Sequence, residues 1–322
     1  MKSKFIIGAF FFLSTAATAV AQDVNFSQIN SMPLLLNPAN TGNFDRAWRA
    51  SGIFRNTTYA AGQTFTTAAF TIEKRITSGG LIGENDRLGI GFFGLSDQSN
   101  GGALKTNYMG FSTAYGKALN VSGTSRLSAG LQGVWVTRRL DLNKLTFADQ
   151  FTSGGFENQV PSADAYKGAS YSYLDLNAGI AYSLTKEKAG FNVGAAIYHA
   201  TKPKEGFWSE NDQLPSRYTL HAGAYFAVAE GDRIHLNTVN NFQGKADEHL
   251  FGAYFSKKLM MAESDLRLNI GSFYRLRSAI IPYLGIESRS WSSGFTYDVA
   301  SGSIREGGAN RKSFEVRLSA FF

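Results

Sequence analysis

The chain has 322 residues, 14% of them aromatic, and no cysteine, so it is long enough for one large domain or two ordinary ones but has no disulfide framework to hold them. Its 32 Lys and Arg against 25 Asp and Glu give a net charge of +7, yet the basic residues are scattered without a long run, which argues against a nucleic-acid groove. After residue 22, Asp, Lys, Arg or Asn interrupts nearly every apolar stretch, which excludes helical membrane spans.

In chain order, Lys2 and Lys4 precede the apolar run Phe5 to Leu13, and Ala19-Val20-Ala21 offers small residues for cleavage. That order reads as a secretory signal peptide over residues 1–21. Residues 22–46 follow without a strand period and are expected to form a periplasmic or lumen-contacting N-terminal segment. Residues 47–322 then show a repeated two-residue alternation, the mark of strands whose faces meet two different solvents. Leu266, Leu268, Ile270, Tyr274 and Leu276 are apolar, while Arg267, Asn269, Gly271, Arg275 and Arg277 alternate with them. Trp291, Phe295, Tyr297 and Val299 alternate with Ser292, Gly294, Thr296 and Asp298, and Phe191, Val193, Ala195 and Ile197 with Asn192, Gly194 and Ala196.

The period predicts strands at 47–59, 63–76, 87–98, 104–118, 124–139, 173–185, 189–201, 217–230, 233–243, 248–261, 265–277, 279–288, 291–299 and 312–322. The segment at 248–261 has an ambiguous register, because Phe251 and Phe255 lead into Lys257-Lys258. Many of these strands run ten residues or more, where globular strands run about 5–6 and membrane strands about 9–11. Tyr59, Tyr115, Trp135, Tyr198 and Trp291 sit towards segment ends, as interfacial girdles would. The alternate face of Gly, Ser, Asn and Arg suggests a wet lumen and not a second core. The fold expected is an all-β transmembrane antiparallel barrel of the outer membrane with about 14 strands and both termini periplasmic. With that orientation the long connections 140–172, 202–216 and 300–311 all face outside, and most of the periplasmic ones are tight turns. The stretch 77–86 is the exception. The last strand places Phe314, Val316, Leu318, Ala320 and Phe322 on one face, and the terminal Phe322 is a candidate assembly signal.

Enzymatic constellations are poorly supported. His199, His221, His235 and His249 lack partners at metal-ligand spacing, and neither a Gly-x-Ser-x-Gly elbow nor a phosphate or dinucleotide fingerprint occurs. Catalytic, metal and cofactor sites are therefore not expected. Pairs such as Gly89 and Gly91 read as strand glycines that relieve crowding in a curved sheet. The expected inner face carries Arg49, Arg55, Arg126, Asp175, Arg267, Arg275, Arg277, Asp298, Glu315 and Arg317. These charges would either neutralise one another in the lumen, or select anions or grip an inserted peptide. In the longest outer loop, Asp149, Glu157, Asp164 and Lys167 with Phe147, Phe151, Phe156 and Tyr166 could cap the pore or meet a partner.

The segment Asp23-Val24-Asn25-Phe26-Ser27-Gln28 runs into Leu36-Asn37-Pro38-Ala39 and Thr41-Gly42. Here the chain resembles the PorP/SprF family of the type IX secretion system, found in the Bacteroidota. Further matches follow in order: Arg55-Asn56, Lys202-Pro203, Leu214-Pro215-Ser216-Arg217-Tyr218, His221-Ala222-Gly223, Gly271 to Arg275, Pro282, Gly285, Tyr297-Asp298 and Phe314-Glu315. The resemblance implies a non-enzymatic outer-membrane barrel that supports secretion or surface anchoring of a cognate sorting-domain protein, in some bacteria a gliding adhesin. Its implied partners are type IX secretion components in the periplasm, that secreted protein and outer-membrane lipid, with no nucleic acid. It singles out Asn37, Pro38, Ala39, Gly42, Arg55, Tyr274, Arg275, Tyr297 and Asp298 as family-motif or partner positions. A general porin or solute transporter is the alternative reading.

Overall fold

The computed structural model describes residues 23–59, 64–77, 82–145, 147–157, 170–206, 213–259, 265–301 and 311–322. The signal peptide at 1–21 and the loop residues Asp164, Tyr166 and Lys167 lie outside them.

Sixteen strands occur among the described residues: β1 Trp48–Tyr59, β2 Thr64–Ile76, β3 Arg87–Ser99, β4 Leu104–Ala118, β5 Ser125–Leu140, β6 Phe151–Thr152, β7 Gly155–Phe156, β8 Ser170–Thr185, β9 Ala189–Tyr198, β10 Arg217–Ala227, β11 Arg233–Gln243, β12 Ala246–Lys258, β13 Arg267–Arg275, β14 Ala279–Glu287, β15 Trp291–Ala300 and β16 Arg311–Phe321. β6 and β7 form a small hairpin in the longest loop. The other fourteen pair antiparallel with their neighbours and close into a barrel through the β1–β16 seam. The fourteen strands expected from the period are these fourteen. Closure leaves no unpaired edge, which the membrane interior requires of any sheet that crosses it.

Each strand turns alternate side chains outward. Leu131 on the outer wall is 65% exposed, and Phe70, Phe111, Ile180, Leu284 and Leu318 repeat the pattern around the barrel. An apolar belt of that extent on a water-soluble surface would aggregate, whereas lipid accepts it. The ambiguous segment resolves the same way: Phe251 and Phe255 of β12 face out, and Leu250 and Ser256 face in.

Several expectations change. Tyr198 is no girdle residue. It is buried in the lumen, where its hydroxyl donates to the Leu35 carbonyl at 2.7 Å and its ring lies under the Arg217 guanidinium. Tyr59 shares the inward parity of Ile53 and Thr57 and packs edge-on against Phe65. β9 stops at Tyr198 because His199 and Lys202 adopt positive φ in the following turn. Arg277 is not on the inner face, since β13 ends at Arg275 and Arg277 (φ 59°) forms the tight exposed turn into β14.

The lumen is also not simply wet. The residues ahead of β1 run back through the barrel and fill it. β1 starts and β16 ends at one rim, where the backbones of Trp48 and Phe322 bond each other. From there the segment passes Phe44, a 3-10 turn at Pro38–Asn40 and a single helical turn α1, Pro33–Leu36. It reaches Asp23 beside His199 and Arg217, at the ends of β9 and β10 that border the opposite rim. Three apolar side chains of this plug seat in separate sockets of inward-facing wall. Ile29 meets Val239, Leu250, Phe273 and Ile281. Leu34 meets Phe93, Val134 and Val136, and Met32 meets Ile53 and Ala69. Each such burial is worth about 1.5–3 kcal/mol relative to exposure.

Candidate functional site

The interface between the plug and the inner wall gathers most of the buried charge. Four sets of contacts hold it, taken here from Asp23 towards β1.

The first lies at Asp23. Its carboxylate is 2.7 Å from His199 Nε2 and 3.2 Å from Arg217, while Asp175 meets His199 Nδ1 at 2.8 Å. Burial opposes charge on His199, but the two carboxylates outweigh it and raise its pKa to about 9. Burial likewise opposes charge on Asp23, and Arg217 and His199 overcome it, leaving that carboxyl at about 2. The imidazolium, held on both ring nitrogens, thus bridges the wall to the plug.

The second set centres on Glu315, which is fully buried and accepts from the backbone N–H groups of Ser27 (2.7 Å) and Gln28 (3.1 Å). Arg55, opposite Glu315 in the seam register, sits 3.7 Å from it and donates to the Asn25 carbonyl. Arg275 donates to Asp298 at 2.6 Å and to the Ser27 hydroxyl at 2.7 Å, and pairs with Glu248 at 2.8 Å. Glu248 in turn accepts from the Asn25 amide at 2.6 Å.

The third set is the Asn37-Pro38-Ala39 turn. The Asn37 side chain caps the turn by accepting from Ala39 N–H at 2.9 Å. Its amide donates to the Ile180 and Ala195 carbonyls at 3.0 and 3.3 Å and stands 3.0 Å from His221 Nε2. The wall answers with glycine: a Cβ on Gly130 would overlap the Pro38 backbone, and one on Gly179 would overlap the Asn37 amide. Gly89, read from sequence as relief of sheet crowding, has the same role, because a Cβ there would overlap the Thr41 carbonyl.

The fourth is at Gly42, whose positive φ (70°) turns the chain so that its N–H reaches Glu73 at 3.1 Å. Glu73 is fully buried and pairs at 2.6 Å with Arg49, which stands directly opposite it on β1 and over the Phe44 ring. With both groups buried, removing either one would leave the other charge without a partner in the lumen.

The structure therefore brings Asn37, Pro38, Ala39, Gly42, Arg55, Arg275 and Asp298 into one interface. It leaves out Tyr274 and Tyr297, which face the lipid side at 42% and 38% exposure, and Phe322, exposed at the rim. Of the inner-face charges, Arg49, Asp175 and Glu315 join the interface as well. Residues that sequence reasoning did not place there are Asp23, Glu73, His199 and Arg217. Glu73 carried a usable signal, a lone carboxylate at an inward position of a clear period. His221 lies with Asn37, His235 stacks on Tyr254 at 4.5 Å, and His249 pairs with Asp247 at 2.9 Å. Among the described residues, no group of three or more His, Cys, Asp or Glu could hold a metal ion.

The family model of the type IX secretion system membrane protein PorP/SprF matches residues 18–319, which takes in the plug and all of the barrel but the end of β16. The chain belongs to this family. No curated protein matches it. The fold is similar to that of outer-membrane transporters, at identities that speak for the fold alone. The toluene transporter TbuX of Ralstonia pickettii shares 11% identity at a TM-score of 0.55, over 91% of this chain and 94% of that one. The toluene transporter TodX of Pseudomonas putida shares 8% at 0.54, over 90% and 92%. A Pseudomonas aeruginosa FadL homologue shares 9% at 0.50, over 89% and 92%. Family and fold together make the chain an outer-membrane barrel of the type IX secretion machinery.

Proposed function

We propose that this PorP/SprF-family barrel is a non-enzymatic accessory of type IX secretion that supports export or surface anchoring of a cognate sorting-domain protein. In this reading the rim carrying the 141–169, 199–216 and 301–310 connections faces outward, and the rim holding Trp48 and Phe322 faces the periplasmic components. One observation favours it over an open channel: residues 23–44 occupy the lumen and are bonded to the wall at every level. A body so filled suits holding a partner at its mouth better than passing solutes. Deleting the gene should leave sorting-domain proteins unattached or unexported, and normal surface display of all of them would refute the role.

The alternative, a solute transporter, draws support from the fold shared with toluene transporters and from a cavity of about 120 Å3 between plug and wall, lined by apolar Met32, Leu35, Phe93 and Val134 as well as by polar groups such as Gln132 and His199. Planar-bilayer recordings separate the two. Steady conductance would favour the transporter, and silence the plugged accessory. We also propose Phe322 as an assembly signal, so its deletion should lower the heat-modifiable, membrane-inserted fraction.

A further inference from the structure

At the rim where β1 starts, the lumen opens into a recess of about 650 Å3 between the plug and strands β2 to β5 and β8. Arg75, Arg87 and Arg126 point into it from β2, β3 and β5. The strand between the last two gives way to them. Gly116 of β4 stands opposite Arg87, and a Cβ there would meet Arg126 Cδ at 2.6 Å. With no side chain on β4, Arg126 can lie across it towards Arg87.

Arg87 and Arg126 are bonded to neutral acceptors, and Arg75 to a backbone carbonyl and, more loosely, to the Asp45 carboxylate. Arg75 donates to the Phe44 carbonyl at 2.8 Å, Arg126 to the Asn85 carbonyl at 2.7 Å, and Arg87 to the Asn43 side chain. The Nε of each is buried with no hydrogen-bond partner among the described residues. The carboxylates around them are mostly committed elsewhere. Glu73 pairs with Arg49, and Asp86 accepts from Tyr115 (2.5 Å), Lys117 (2.9 Å) and the Ala118 N–H (2.8 Å). Asp45 of the plug lies 3.5 Å from Arg75 with its side chain 97% exposed. Three partly desolvated cations against one loosely held carboxylate form a positive mouth, and uncompensated charge of this kind is costly unless a counter-charge arrives.

We propose that this recess binds a carboxylate-rich peptide, a short Asp/Glu segment of another protein that reaches into the mouth and displaces Asp45. Its volume falls in the range of about 300–1,000 Å3 typical of ligand sites, well beyond a single ion. Ser122, Thr124 and Ser183 also line the recess, and the hydroxyls of Ser122 and Thr124, which bond each other at 3.1 Å, keep capacity for a further bond to a peptide main chain. Asp45 already shows a peptide carboxylate lying against Arg75. Arginine is suited to the task, because its planar fork bonds a carboxylate through two parallel N–H groups. The inference is independent of the role in secretion and holds whichever side of the membrane this rim meets.

The test uses the purified, detergent-solubilised full chain and fluorescein-labelled hexaglutamate, followed by fluorescence anisotropy at low salt. The wild type should bind, and binding should weaken as salt rises. The double variant Arg87→Gln/Arg126→Gln should lose about tenfold or more in affinity, the scale of charge-assisted contacts at a partly buried site. Arg277→Gln, in an exposed turn at the other rim, should bind as the wild type does. Heat-modifiable migration checks that each variant is folded. Should the double variant fail that check, Asp45→Ala, which alters an exposed side chain, should tighten binding several-fold by removing the competitor. No binding by the wild type, equal affinity in the folded double variant, or no gain in Asp45→Ala would overturn the proposal. Displacement of the peptide by inorganic phosphate at the same concentration would make this a small-anion site and overturn the peptide assignment.

Discussion

Leu131 and Gln132 are neighbours on β5 with opposite surroundings. Leu131 is 65% exposed on the outer wall, while Gln132 is buried, donates to the Leu34 carbonyl at 3.3 Å and accepts from Asn177 at 2.8 Å. The outer wall needs apolar area and little else, so one aliphatic residue there serves much as another. The inner wall is specified contact by contact, because its solvent is a particular stretch of the same chain. Exchangeable on one face and individually matched on the other, the strands should respond to mutation in two distinct ways.

The largest effect is expected from Glu315→Ala. It strands Arg55 and two plug N–H groups in a buried site, and should destabilise the seated plug by about 3–5 kcal/mol, as for other broken buried pairs. Limited proteolysis should then cut within 23–47 while the barrel keeps its heat-modifiable migration. Next comes Leu131→Arg on the outer face, at about 2–4 kcal/mol if it lies near the bilayer midplane. Here the loss should appear in barrel unfolding by denaturant, with plug proteolysis unchanged. Were Leu131→Arg to release the plug as Glu315→Ala does, the contrast between the two faces would collapse. A smaller cost, about 1–3 kcal/mol of overpacking, is expected from Gly130→Ala, read as plug accessibility. The outward Ala129→Gly on the same strand should leave the plug seated.

The mildest perturbation is pH, acting on the far end of the plug. His199 has its pKa raised from 6.5 to about 9, so its contribution is complete below 6.5 and is lost as pH climbs through 9. Asp23 is lowered from 3.8 to about 2, so its contribution is complete above 3.8 and is lost as pH falls through 2. A spin label at Val24→Cys should therefore be most immobile between these limits and loosen towards pH 9 and beyond. His199→Asn should remove the alkaline loosening, and an unchanged alkaline limb in that variant would exclude the imidazole as its source.

All fourteen barrel strands were legible in the sequence, because a period of two between lipid and a polar interior leaves a mark in every segment. Ends were less so, as at β9, where the positive φ of His199 stops a run whose composition would continue it. The plug had no period to read, since its shape comes from contacts far away in sequence, such as His199 with Asp23 across 176 positions. Family resemblance drew attention to Asn37-Pro38-Ala39, but the reason for that turn is the glycine pair Gly130 and Gly179 on β5 and β8. It also drew in Tyr274 beside Arg275 and Tyr297 beside Asp298. A step of one residue along a strand reverses the face, so each motif pair is split between lipid and lumen.

The β1–β16 seam sets a problem of order during folding. Ser27 and Glu315 meet across 288 positions, and Glu315 belongs to the last strand of the barrel in chain order. The plug, by contrast, precedes every strand. Contacts of such separation are slow to form, because a long loop must close before any reward is felt. With Glu315, Arg55 and Ser27 all at the seam, the final zipping of the wall and the docking of the first residues share the same side chains. A wall zipped with its leading segment outside would leave the Glu315 carboxylate without the Ser27 and Gln28 N–H groups that it accepts from when the segment is docked.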